Sequence, residues 1–405
     1  MSRLILHCDC NSFFASVETV LNPQYKNVPM AVCGSQEARH GIVLAKNELA
    51  KKYKINTAET VFSAKKKCPG LVIAEPHYEE YSRFSKKVNE IYSRYTDMIE
   101  PFGIDESWLD LTASQKYFGS GYEIAEEIRK TVKQELGITV SIGVSFNKTF
   151  AKLGSDYKKP DAVTVIDEKN YKDIVYPLPV SDLLFVGRKT SEILLGMGIR
   201  TIGELASANA EMLNLRLGKA GTMLYNYANG LDDSPVSQVT EDPKSISNGF
   251  TFRRDLVTDS EIKVAISFLS EEIGRRLRKN RQLASTVSVT VKDEFLQSIQ
   301  RQRPQEPPSD IAKEISDTAY LLIKGSWQKD KPIRMITVSA SNLIKSENSS
   351  EQISFFEEKK NEERKNIKIV ENTIDKIRQR YGNDAIINAS FIENDIGILD
   401  KSNKK

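Results

Sequence analysis

The stretch PFGIDESWLDLT, Pro101 to Thr112, sets two adjacent carboxylates, Asp105 and Glu106, between two apolar runs. MIEPFGI and SWLDLT read as two strands of a hairpin with Asp105-Glu106 at its tip, and Asp110 alternates into the second strand as a structural residue. Upstream, HYEEYSRFSKKVNEIYSRYTD (77–97) is an amphipathic helix with Tyr81, Phe84, Val88, Ile91 and Tyr95 on one stripe. Further upstream, the apolar run RLILHCDC (3–10) contains Asp9 and reads as a buried strand, and FFASVETV (13–20) carries helical spacing. Downstream, YEIAEEIRKTVKQEL (122–136) is a second helix and ITVSIGVS (138–145) a further strand. The order strand, helix, strand, strand, helix, strand is the split βαβ plan. In that plan the first and third strands are antiparallel neighbours, so Asp9 is expected to meet Asp105 and Glu106 at one edge of one sheet.

The chain has 405 residues, enough for two to four folding units. Its 40% hydrophobic and 28% charged residues describe a soluble globular protein. A net charge of +3 is too small to argue for a nucleic-acid partner by itself, so the distribution of charge must carry that point. The four cysteines, Cys8, Cys10, Cys33 and Cys68, offer no paired zinc spacing and read as reduced thiols. No signal-peptide core and no run of about twenty apolar residues is present, which points to the cytoplasm and away from a membrane.

Beyond residue 180 the pattern changes. VSDLLFVGRKTSEILLGMGIRTIGELA (180–206) reads as short helices separated by Gly187 and Gly198, and helical character continues to about residue 230. After a polar, Pro-containing stretch the strand and helix order returns: SNGFTF, a helix over 260–279, STVSVTVK, its candidate partner SIQRQR, a helix over 309–324 and IRMITVSA. Residues 346–405 are charged, with one apolar interruption, QISFF (352–356).

Three converging carboxylates repel one another unless cations sit between them or some are protonated. Oxygen ligands of this kind suit Mg²⁺, which keeps waters and completes its shell with substrate phosphates. Two such ions serve nucleotidyl transfer, activating the attacking hydroxyl and stabilising the leaving pyrophosphate. On spacing alone, a polar hairpin tip with Asp9 as a helix cap stays open.

Taken together, HCDCNSFFASVE, GIDESWLDLT, SIGVSFNKTFAKLGSDYKKPD and the Gly-punctuated segment 180–206 resemble the Y-family translesion DNA polymerases, nearest to the bacterial DNA polymerase IV group. The resemblance covers residues 3–345 in order. It implies an α+β multidomain fold with a ferredoxin-like palm (1–11 and 76–166), inserted fingers (12–75) and a helix-hairpin-helix thumb (167–233). A linker (234–242), a βαββαβ little finger (243–345) and a tail with a clamp-binding motif (346–405) follow. By resemblance, Asp9, Asp105 and Glu106 are the catalytic residues and hold two Mg²⁺ ions, with the main-chain carbonyl of Cys10 as a further ligand. Phe14 is the steric gate that excludes a 2′-hydroxyl, while Phe13 packs in the core. Lys159 matches the family lysine on the triphosphate.

In the fingers, the family's tyrosine and arginine correspond here to Glu48 and Lys51. Lys51 keeps the charge without arginine's bidentate fork, and Glu48 takes over no nucleotide contact. This run is closer to the polymerase V branch. Primer-template DNA is expected to be gripped by its phosphates. The candidates are Lys148 and Lys152 on the primer side, Gly187 at the thumb hairpin, where Phe185 replaces a family glycine, and Arg253, Arg254, Arg275, Arg276, Arg278 and Arg281 on the little finger. Gln352, Ile353, Ser354, Phe355 and Phe356 resemble the bacterial sliding-clamp peptide. The reading is therefore a monomeric, error-prone translesion polymerase without proofreading, which uses dNTPs and docks on the clamp. A polymerase V-like subunit that needs accessory proteins and a non-catalytic DNA-binding, clamp-docking factor are the alternatives.

Overall fold

The computed structural model describes residues 3–35, 39, 41–238, 242–328, 331–348, 358–392 and 394–398. The chain divides into two compact units, Met1–Gly34 with Ile42–Thr240, and Ser35–Gly41 with Glu241–Lys405.

In the first unit the elements run β1 (Ile5–Cys10), α1 (Phe13–Leu21), β2 (Met30–Cys33), β3 (Val43–Lys46), α2 (Glu48–Lys51), α3 (Val61–Lys67), β4 (Val72–Ala74) and α4 (Tyr78–Tyr92). They continue with β5 (Ile99–Pro101), β6 (Glu106–Asp110), α5 (Gln115–Phe118), α6 (Gly121–Leu136), β7 (Val140–Ser145), α7 (Lys148–Tyr157) and β8 (Val163–Ile166). The five-stranded sheet has the order β5-β6-β1-β7-β8, and β1 lies between antiparallel partners β6 and β7. This is the expected split βαβ plan, extended by β8, which pairs parallel with β7. A four-residue strand between a Lys-Pro-Asp turn and Asp167 is too short to show a periodicity. β2, β3 and β4 form a separate three-stranded sheet in the order β3-β2-β4.

Alternation along β1 sorts its side chains between two faces. Leu6, Cys8 and Cys10 join Leu109, Val140, Ile142 and Val144 in a core against α4 and α6, where Tyr81, Phe84, Val88, Ile91 and Ile128 are buried. Ile5, His7 and Asp9 fall on the other face, which carries α7. That helix lies directly on β7: a Cβ at Gly143 would come within 1.9 Å of the Ala151 carbonyl, so only glycine permits the approach.

Helices α8 (Tyr171–Val175), α9 (Arg188–Gly196), α10 (Ile202–Ala206), α11 (Ala210–Leu217) and α12 (Lys219–Ala228) complete the unit around Phe150, Leu194, Ile202, Leu205, Leu213 and Leu224.

The second unit is β9 (Ser245–Leu256), α13 (Asp259–Lys279), β10 (Gln282–Lys292), β11 (Ser298–Ser309), α14 (Ala312–Ser326), β12 (Ile333–Lys345) and α15 (Glu358–Tyr381). Its sheet has the order β11-β10-β12-β9. Val287, Val289, Val291, Ile336, Val338 and Ala340 face α13 and α14. Phe391, Ile396 and Ile398, from beyond α15, are buried in the same core, each contributing about 1.5–3 kcal/mol. The described residues beyond α15 are thereby tied into this unit.

Candidate active site

The antiparallel register puts Asp9 opposite Glu106 and His7 opposite Trp108, so all four share the α7 face of the sheet. Asp105, just before β6, is joined to the strand end by a hydrogen bond from the Cys10 backbone N–H to its carbonyl (3.0 Å). Asp9 and the adjacent pair Asp105 and Glu106, far apart in sequence, meet at one end of the sheet. Asp9 is buried, at 6% exposure, and Asp105 and Glu106 are half-buried.

From α7, one turn apart, come Lys148 and Lys152. Lys152 Nζ bridges Asp9 Oδ2 (3.0 Å) and Glu106 Oε2 (2.6 Å) and reaches Asp156 (3.4 Å). Lys159 Nζ lies 2.7 Å from Asp9 Oδ2 and 2.7 Å from Asp156. Lys148 turns away to Glu100 (2.7 Å) and lies over the Trp108 ring. Of the two lysines, only Lys152 meets Asp9 and Glu106.

Burial and the charges of Asp9 and Glu106 push the Asp105 carboxyl up to about 6. Glu106 goes the other way. Burial raises it, but the closeness of His7 and the hydrogen bond and charge of Lys152 outweigh that and bring it down to about 2. Lys152 and Lys159 lose from burial and gain more from the carboxylates, so both are held above the usual lysine range. Ligand atoms of His7, Asp9 and Glu106 lie within 4.8 Å of one another, a group able to hold a metal ion. His7 is fully buried, with Nδ1 2.8 Å from the Ser155 hydroxyl and Nε2 3.2 Å from Glu106. It therefore stands behind Glu106 and steadies it, while the open side offers hard carboxylate oxygens that suit a divalent cation. No pattern in RLILHCDC singled out His7; its role appears only when β6 and α7 are laid over it.

Phe14 stacks on Tyr81, with ring centroids 4.0 Å apart and planes 10° from parallel. Tyr81 in turn donates its hydroxyl to the buried Glu18 carboxylate (2.5 Å), one turn along α1. Phe13 is buried in the core. Lys51, in the short α2, pairs with Glu48 (2.6 Å), which also accepts from the Ser12 hydroxyl (3.2 Å). Gly187 caps α9 with room around it, and Phe185 beside it is exposed at φ +69°.

Most of the arginines of the second unit are engaged by carboxylates. Arg275 and Arg276 share Glu272 (2.7 Å each). Arg278, its side chain 8% exposed, holds Glu371 and Asp375 (2.6 Å) from α15. Arg254 is clasped by Glu261 and Asp395. The Arg253 backbone N–H donates to the Ile396 carbonyl (3.0 Å), and Arg281 is exposed, 3.9 Å from Glu347. Gln352–Phe356 lie outside the described residues.

The impB/mucB/samB family model matches residues 8–156, and the model of that family's C-terminal domain matches residues 243–355. The DNA polymerase IV of Acetivibrio thermocellus is 47% identical over 94% of this chain and 96% of its own length. DNA polymerase IV 1 of Bacillus subtilis is 34% identical over 94% of this chain and 91% of its own. A solved Y-family DNA polymerase chimera of Dbh and Dpo4 superposes with a TM-score of 0.74 at 26% identity, covering 84% of this chain and 99% of that one. Sequence register, sheet plan and acidic corner agree: the chain belongs to the Y family of DNA polymerases, in the DNA polymerase IV group.

Proposed function

We propose that the corner of Asp9, Asp105 and Glu106 binds two Mg²⁺ ions and an incoming dNTP, and there transfers the nucleotide to a primer 3′ end. Template-directed translesion DNA synthesis is the activity of the family; the residues and ions are our reading. The observation that carries it is the meeting of Asp9, Asp105, Glu106 and Asp156 with two ammonium groups, Lys152 and Lys159, which leaves negative charge in surplus at the corner. When bound, the ions lower the pKa of the primer hydroxyl and offset charge on the leaving pyrophosphate. Asp9, Asp105 and Glu106 would hold them with the Cys10 carbonyl. Lys159 stands at the corner to meet triphosphate oxygens, and Lys51 adds a second positive charge from the fingers side. Phe14, backed by Tyr81, presents a fixed ring to the sugar. A fixed ring excludes a 2′-hydroxyl by bulk.

DNA is held without regard to sequence, through backbone contacts. In the second unit, the sheet face opposite α13 and α14 carries the cross-strand rows Ser247–Ser339–Ser288–Gln302 and Gly249–Thr337–Thr290–Gln300. Hydroxyls and amides of this kind suit phosphate oxygens. Among the described arginines paired with a carboxylate in the second unit, Arg281 has the longest separation, 3.9 Å, and we read it as a phosphate contact. Gln352–Phe356 is the clamp-docking peptide, a reading supported by its likeness to the bacterial motif and its place just after β12. Among the described residues no helix is long and apolar enough to cross a membrane.

Primer extension with Mg²⁺ tests the reading: Asp105→Ala is expected to abolish extension and keep DNA binding, and retained extension refutes the assignment. Deleting 352–356 is expected to remove only the stimulation given by the clamp.

A further inference from the structure

Asn11 lies beside the acidic corner and is 5% exposed. Its Oδ1 accepts from the Asp161 backbone N–H (2.8 Å) and from the Thr139 hydroxyl (3.0 Å), and its Nδ2 donates to the Ser141 hydroxyl (2.8 Å). Its backbone N–H donates to the Thr139 carbonyl (2.9 Å), and its carbonyl accepts from the Ser16 hydroxyl (2.7 Å). One side chain thus joins the end of β1, the start of β7 and the loop that carries Lys159.

The same loop is held from its other side. The Asp161 carboxylate accepts from Arg129 (2.7 Å) and Lys133 (2.7 Å) of α6. Arg129 is itself fixed by two hydrogen bonds to Glu126 (3.0 and 2.9 Å). Asp161 has φ +56°, in the left-handed region, which aspartate enters more readily than most residues with a Cβ and where its surroundings hold it. The surroundings here are Asn11 on one side and two cations on the other. Two residues upstream, Lys159 Nζ is set 2.7 Å from Asp9.

We propose that Asn11 and Asp161 form a brace that positions Lys159 for the incoming triphosphate. Neither residue touches the nucleotide; both are positioning residues, and the proposal rests on Lys159 being the triphosphate contact. The chemistry explains the residue type. Position 11 must accept two hydrogen bonds at one end, which a carboxylate also does and an apolar residue does not. With an aspartate there, the Ser141 hydroxyl turns from acceptor to donor and the set stays satisfied.

The test is dNTP KM against kcat in primer extension by the full chain. Loss of a charge-assisted contact costs about tenfold in affinity or more, so Lys159→Ala is expected to raise KM by about that factor. Asn11→Ala and Asp161→Ala are expected to raise KM with kcat within about twofold of the parent. Asn11→Asp is expected to restore the parent KM. In the Lys159→Ala background, Asn11→Ala is expected to add nothing further, because its effect runs through the lysine. Additive KM effects, or an Asn11→Asp no better than Asn11→Ala, overturn the brace while leaving Lys159 in its role. An unchanged KM in Lys159→Ala alone overturns the role of the lysine and the brace with it. Asp161→Ala, at a partly exposed loop, reads the same brace if Asn11→Ala does not fold.

Discussion

The acidic corner and the arginine-rich end of α13 both crowd like charges, but they balance them differently. At the corner, Asp9, Asp105, Glu106 and Asp156 face two ammonium groups, Lys152 and Lys159. At the end of α13, Arg275, Arg276 and Arg278 meet Glu272, Glu371 and Asp375. The first cluster keeps a surplus and the second does not. What separates a ligand site from an internal clasp is the charge left after pairing, and a run of like residues in sequence does not reveal it.

The strongest way to break this contrast is to neutralise the surplus. Asp105→Asn is nearly isosteric and removes one negative charge. Primer extension is expected to fall by about 10³-fold or more, several kcal/mol of transition-state stabilisation, with DNA affinity unchanged. The arginine clasp is tested by Arg278→Ala, which strands two partly buried carboxylates. The second unit is expected to lose about 3 kcal/mol of stability, seen as a lowered denaturation midpoint, with the salt dependence of DNA binding preserved. A salt slope reduced by about one with no loss of stability would instead make Arg278 a phosphate contact.

The pH dependence sharpens the same point. A carboxyl raised to about 6 in the folded state binds its proton more tightly than in the unfolded chain. Its contribution to stability is therefore fully present below about pH 4 and is lost as pH rises through about 6. Divalent-ion affinity moves oppositely, because the ion needs the carboxylate: each pH unit below that value is expected to weaken binding by about tenfold. Calorimetric titration of Mn²⁺ at pH 5 and pH 7 measures it, and Asp105→Asn should flatten the difference. The smallest effect is at the sugar. Phe14→Ala is expected to raise ribonucleotide incorporation while dNTP use falls by only a few fold, and Tyr81→Leu, which removes a ring stack worth about 1 kcal/mol, should do so in part.

Much of this was legible in the chain. The periodicities of 3–10, 77–97, 122–136 and 138–145 led to the sheet order, and the sheet order brought Asp9 to Glu106. Sequence alone marks β11 only at SIQRQR, although the strand runs to Ser309, because Pro304, Pro307 and Pro308 argue against a strand; an edge strand tolerates them. The arginine run reads as a DNA grip; the pairing of Arg275 and Arg276 with Glu272 lies within one helix, whereas the partners of Arg278, Glu371 and Asp375, lie more than ninety residues away and are not visible from the run itself. His7 and Asn11 carry no sequence signal of their own. Their roles are made by residues from β6, β7, α7 and the Lys159 loop, which only the folded chain assembles.

The surplus at the corner is tested most directly by counting Mn²⁺ bound to the full chain with primer-template DNA and a non-hydrolysable dNTP analogue. Two ions per chain are expected, with at least one lost in Asp105→Asn. Equal binding by parent and variant would place the ions elsewhere and contradict the assignment of Asp9, Asp105 and Glu106.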